Sequence, residues 1–278
     1  MGSNNGRGSN VVKAMGHALL WFLAVVAAST LVGCAGSRPT TIPMKILFDA
    51  APATDGPKSL LVIMPGIQDV PGDLVRHGFV RAVRERGIAA DVVIADAHFG
   101  YFLDRSFEER IRSDVIAPAR ARGYASIWLS GVSLGGFGSL LYASRNPLDV
   151  DGLITVAPLI ARGGVVSEIL SAGGLTSWNP PQTFEIPDFG RQVPGWLKGY
   201  GTASTPRPLL YLGFGANDHF APINAALGDL LPEGQRFVAL GGRTWAQWIT
   251  LWEQMLDRVP LPRIGERAVS VAHLTRAR

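Results

Sequence analysis

The run ASIWLSGVSLGGFGSLLYASRN, residues 125–146, restricts the possible folds of this chain more than any other segment. Its first part is apolar and reads as a buried strand. Its second part reads as a helix stopped by Pro147. With only a tight turn between them, the chain must pass directly from a sheet into a covering helix. The turn, Gly131-Val-Ser133-Leu-Gly135, follows the pattern G-x-S-x-G. So sharp a bend strains the serine backbone, and the two glycines relieve the crowding around it. The hydroxyl then leaves the sheet edge beside a helix N-terminus. Ser133 is therefore the candidate nucleophile, and the backbone N–H of Leu134 a candidate oxyanion donor.

Short apolar runs and helical segments alternate along the rest of the chain. Strands are expected at 44–50, 59–66, 90–99, 125–133, 151–159, 208–218 and 235–242. Helices are expected at 72–87, with Asp73 as N-cap and Gly87 as stop, and at 135–146, 224–231 and 244–257. Another opens at Ser106 and Glu109 through a capping box and should end or kink at Pro118. The chain has 278 residues, 47% of them hydrophobic, enough for one sizeable core. The expected class is α/β, a mostly parallel central sheet with helices on both faces. Residues 161–205, rich in Gly, Pro and Trp, break the rhythm and read as a small cap insertion or as an irregular surface loop.

These segments, and the Ser133 turn above all, resemble the α/β-hydrolase fold of bacterial esterase-like serine hydrolases across residues 44–258. The resemblance implies a second oxyanion N–H from the loop MPGIQD, at Ile67, with Gln68 second. It implies a catalytic acid in LLYLGFGAND at Asp218, whose other reading is a helix cap. It also implies a histidine in VALGGRTWAQW, where Arg243 stands instead. A guanidinium stays protonated and offers no lone pair to a proton. Arg243 is expected to pair with Asp218, or to hold a carboxylate or phosphate. His98, at the end of a strand, is a possible pocket or hydrogen-bonding residue. His219 should turn away from its neighbour Asp218, and His77 should face solvent. The series Trp245, Trp248, Trp252 and Met255 has helical spacing and reads as core. Phosphate-loop, dinucleotide and zinc-ligand signatures are missing, so neither cofactor nor metal is expected. Two functions follow. One is a carboxylesterase-type hydrolase acting on a small or lipid-like ester, weakened by the lost histidine. The other is a non-catalytic envelope protein binding a lipid, anion or partner protein.

At the N-terminus, Arg7 and Lys13 precede the apolar run ALLWFLAVVAASTLV, which ends in LVGC. The run is short for a membrane span and suits a signal-peptide core. LVGC resembles a bacterial lipobox, which implies cleavage after residue 33 and acylation of Cys34, the single cysteine. An uncleaved anchor, or a secretory peptide with a chance cysteine, is the other reading. The expected organisation is a leader at 1–33, a tether at 34–43 and a hydrolase-like domain at 44–278. Ala35 after the cysteine implies the outer membrane, facing the periplasm. Of the net charge of +4, two positive charges leave with the leader, and nothing suggests a nucleic-acid partner. Cys34→Ser is expected to abolish lipid attachment. Unchanged incorporation of labelled fatty acid by that variant would refute the anchor.

Overall fold

The computed structural model describes residues 38–53, 56–180, 189–202 and 206–265. The expected leader and Cys34 lie outside them. Among the described residues no helix is long and apolar enough to cross a membrane.

Strand β2 (Ser59–Met64) accounts for the layering. It is buried throughout, and successive side chains enter opposite cores. Leu60, Val62 and Met64 enter one, Leu61 and Ile63 the other. β4 (Ser126–Val132) repeats this, with Ile127 and Leu129 against Trp128 and Val132. Strands apolar on both faces can be stable only between two helical layers. The other strands are β1 (Ile46–Asp49), β3 (Ala90–Ala95), β5 (Gly152–Val156), β6 (Leu209–Gly215) and β7 (Arg236–Ala239). The order is β1-β3-β2-β4-β5-β6-β7, and every neighbouring pair is parallel except β1 with β3. The carboxyl ends of β2, β4, β5, β6 and β7 therefore share one edge, where sheets of this kind place their sites.

The expected helix at 72–87 is two helices, α1 (Pro71–Arg76) and α2 (Phe79–Glu85). Gly78, at φ 86°, breaks them apart, a conformation that favours glycine. Asp73 is not the N-cap of α1. Val70 is, and Asp73 reaches back to accept its N–H at 2.8 Å. The third expected strand ends early at Ala95, and His98 caps a short helix, α3 (Phe99–Leu103). The capping box at Ser106 does not form, because Asp104 Oδ1 takes the Ser106 N–H (3.0 Å) and hydroxyl (2.6 Å). Pro118 does not end its helix either. The run passes from α4 (Phe107–Arg110) through a π-helical stretch (Ile111–Ile116) into α5 (Ala117–Ala121), with the proline in the first turn of the last piece. Ile116 and Ala117 keep helical dihedrals, so the proline lies inside one continuous run, directly after the π-helical stretch.

Helix α6 (Leu134–Arg145) follows β4 directly. Within 161–205 lie α7 (Gly164–Ser171), α8 (Phe189–Leu197) and a 3₁₀ turn at Lys198–Gly201. Trp178, Val193 and Leu197 of this segment are buried in the same core as α6. Helix α9 (Ala221–Gly228) begins three residues before the expected 224, with Pro222 in its first turn. Helix α10 (Trp245–Leu256) buries Trp248, Trp252 and Met255 against the opposite face, as their spacing requires. Trp252 stacks on Phe79 at 5.3 Å and donates to its carbonyl at 3.0 Å. Trp252→Ala should destabilise the domain by about 3–5 kcal/mol, measured by denaturant unfolding. A loss below about 1 kcal/mol would show that α10 is not held by this core.

Candidate active site

Ser133 has φ 55° and ψ −110°, far from the usual regions for a residue with a side chain. Its backbone is fixed on three sides. The Ser133 N–H donates to Val156 O (2.9 Å), and its carbonyl accepts from Phe137 (3.0 Å) and Leu159 (3.1 Å). The bend closes only because α6 approaches β2 and β4 backbone to backbone. A Cβ on Gly135 would lie 2.7 Å from Pro65 O, and one on Gly131 would lie 2.7 Å from Gly136 N. Leu134 is the first residue of α6, so its N–H has no intrahelical acceptor and faces the region around Ser133.

The loop after β2 reaches the same point. Gly66 lies beside Ser133, since a Cβ there would meet Ser133 Cβ at 3.6 Å. Ile67 follows and is exposed. The loop after β2 and the first turn of α6 thus both lie beside Ser133.

Asp218 follows β6, buried to 4% exposure. Its loop is joined to the one carrying Arg243 through Ala216 N–H to Ala239 O and Asn217 N–H to Gly241 O, both 2.9 Å. Arg243 Nη1 donates to Asp218 Oδ2 at 2.8 Å, and Nη2 to Ala157 O at 3.0 Å. Ala157 directly follows Val156, the residue that accepts from Ser133. The guanidinium also lies 5.2 Å from the Phe220 ring centroid and 5.9 Å from that of Trp248. The second carboxylate oxygen of Asp218 accepts the Phe220 N–H at 2.9 Å. The expected ion pair is therefore present, and it includes the strand-end carbonyl that the sequence did not suggest.

Three histidines lie among the described residues. His98 is buried and its Nδ1 accepts the Gly100 N–H at 3.1 Å, while its ring packs on Tyr101. It caps α3. His219 approaches Asp218 after all, with Nδ1 3.5 Å from Oδ1, but its side chain is 68% exposed. It lines a cavity of about 480 Å³ at the β7 edge with Arg236 and Val238, and Ser133 is not among the residues lining that cavity. His77 is exposed, as expected, yet stacked flat on Trp245 at 4.1 Å.

Sequence reading missed Asp69. It closes the loop after β2 by donating its N–H to Gly66 O at 3.2 Å, and its carboxyl packs over Gly66. Burial, and then the neighbouring Asp73, raise its pKa, against the Gly66 backbone and His77, which lower it. The available signal was an acid three residues after the glycine of MPGIQD.

The same architecture recurs in solved structures. One is the fluorophosphonate-binding serine hydrolase F of Staphylococcus aureus, at TM-score 0.55 and 13% identity, covering 77% of this chain and 91% of that one. Another is an S-formylglutathione hydrolase of Staphylococcus aureus, at 0.53 and 15%, covering 74% and 82%. A third, the S-formylglutathione hydrolase of Agrobacterium tumefaciens, gives 0.51 and 16%, covering 77% and 90%. No protein-family model and no curated protein sequence matches the chain. At these identities the likeness concerns architecture, and it makes this an α/β-hydrolase fold.

Removing Arg243 would leave a buried carboxylate without its cation, so Arg243→Met should cost about 3–5 kcal/mol. Asp218→Asn combined with it should restore part of that loss. A double-mutant cycle with coupling below about 0.5 kcal/mol would show that the pair does not hold the two loops together.

Proposed function

We propose that this chain is a serine hydrolase of the carboxylesterase type, with Ser133 as nucleophile and the amides of Leu134 and Ile67 receiving the oxyanion. The observation that carries this reading is the strained Ser133 backbone at the β4–α6 turn. Such strain costs on the order of 1–3 kcal/mol and persists where the surrounding structure enforces it. The reaction begins as the Ser133 oxygen attacks the ester carbonyl. Negative charge grows on the carbonyl oxygen, and preorganised amides are each worth about 3 kcal/mol to it. The alkoxide leaves, and water then hydrolyses the acyl-serine. Asp218 and Arg243 fill the places of acid and base but act as a fixed ion pair, so turnover is slow. The anchor at Cys34 would hold the enzyme at the bacterial envelope, on the outer membrane facing the periplasm, beside lipid-like esters.

A second reading is favoured by the Arg243 pair itself. Two guanidinium nitrogens are committed to protein acceptors, but Arg243 retains further N–H donors. A non-catalytic protein would use them for a bound anion.

A fluorophosphonate probe decides between the two without a known substrate. Labelling of the wild type that disappears in Ser133→Ala supports the hydrolase, and unlabelled wild type supports the binder. In the hydrolase, Arg243→His should place an imidazole against Asp218. General-base catalysis contributes about 10²–10⁴-fold, so hydrolysis of a small activated ester should rise at least ~10-fold. The gain should vanish when Ser133→Ala is added.

A further inference from the structure

A serine nucleophile needs a group that takes its proton, and Arg243 cannot do so. One carboxyl group stands close to Ser133 across the Gly66 backbone. A Cβ on Gly66 would lie 3.6 Å from Ser133 Cβ and 3.5 Å from Asp69 Cγ, and nearer still to Asp69 Oδ2. Both separations run from a single point, so the carboxyl carbon and the serine Cβ are no farther apart than their sum. The glycine leaves the space between them open. Any side chain at position 66 would fill it.

We propose that Asp69 is the general base for Ser133, acting directly or through one water. The proposal rests on the hydrolase reading above. In the first half-reaction the Ser133 proton passes to the Asp69 carboxylate as the bond from Oγ to the acyl carbon forms. The tetrahedral oxyanion collapses, the carbon–alkoxide bond breaks, and the leaving alkoxide takes the proton from the Asp69 carboxyl. Water then attacks the acyl-serine and gives a proton to Asp69. The Ser133–acyl bond breaks, and Oγ recovers that proton. The products are the carboxylic acid and the alcohol, and Asp69 ends as it began.

The surroundings of Asp69 suit this role. The residue is half-buried, and burial and Asp73 raise its pKa, which brings a carboxylate nearer to working pH as a base. His77, at the end of α1, opposes that shift. Asp73 is itself paired with Arg76, and across the site Arg243 is paired with Asp218. The loop is rigid enough to aim the carboxyl, through the Asp69 N–H to Gly66 O and the Asp73 N–H to Val70 O at 2.9 Å.

The test is the rate of fluorophosphonate labelling of Ser133 in the full chain between pH 4 and 8. The wild-type rate should rise with pH through the carboxylate range and level off before the imidazole range. A group with a raised pKa loses its proton later, so the midpoint should lie above that of an ordinary aspartate. Asp69→Asn should lower the plateau by about 10²-fold or more. Asp69→Ala should be partly rescued by added formate, which a merely structural role would not allow. Gly66→Ala, at a position outside the left-handed region, should push the carboxyl aside and slow labelling while leaving Asp69 in the chain. Equal labelling of wild type and a folded Asp69→Asn at every pH overturns the base and leaves the hydrolase standing. Faster labelling of Asp69→Asn also overturns it, because the carboxylate would then oppose the oxyanion. A wild type that never labels overturns both.

Discussion

Helix α6 lies against the ends of β2 and β4 with no side chain between the backbones, and the geometry of the site depends on that approach. Gly131 and Gly135 make it possible. A helix at ordinary packing distance would let the chain leave β4 through a relaxed loop, and Ser133 would not need a left-handed backbone. Close approach also brings the loop after β2 to the N-terminus of α6. Position and charge environment come from one steric fact, since the positive end of the α6 dipole points at the same place.

The second constraint is electrostatic. Asp218 has no exposed side-chain surface, and a carboxylate in that position requires a partner. In a Ser-His-Asp arrangement the partner is an imidazole that can also exchange protons. Here it is a guanidinium, which meets the structural need and withdraws the proton-transfer chemistry. Under the hydrolase reading proposed above, stability and reactivity, served by one residue in the triad, fall to different residues. On that reading the Asp218 side is structural, and proton transfer falls to a group elsewhere around Ser133.

The sheet was legible in the sequence because its strands are apolar on both faces and lie between turns rich in Gly, Pro and Asp. The β4–α6 turn was legible because glycines flank the serine in a fixed pattern. Arg243 beside Asp218 could be anticipated, because both follow consecutive strands and so reach the same sheet edge. Asp69 could not, because its importance comes from the space that Gly66 leaves open, and no spacing rule records empty space. The break at Gly78 and the caps at Val70 and Asp104 were misjudged for a related reason. Asp73 and Asp104 have several acceptable backbone donors within reach, and tertiary placement chooses among them. Pro118 misled because helix-breaking depends on the local hydrogen-bond register, and the π-helical stretch directly before it changes that register.

The stack of His77 on Trp245 joins the end of α1, which continues from the Asp69 loop, to the start of α10, which continues from the Arg243 loop. Otherwise these segments belong to separate strand-to-helix crossovers, far apart in the chain. Near the surface the stack thus ties the segment that follows the Asp69 loop to the one that follows the Arg243 loop, so a change of either ring reaches both.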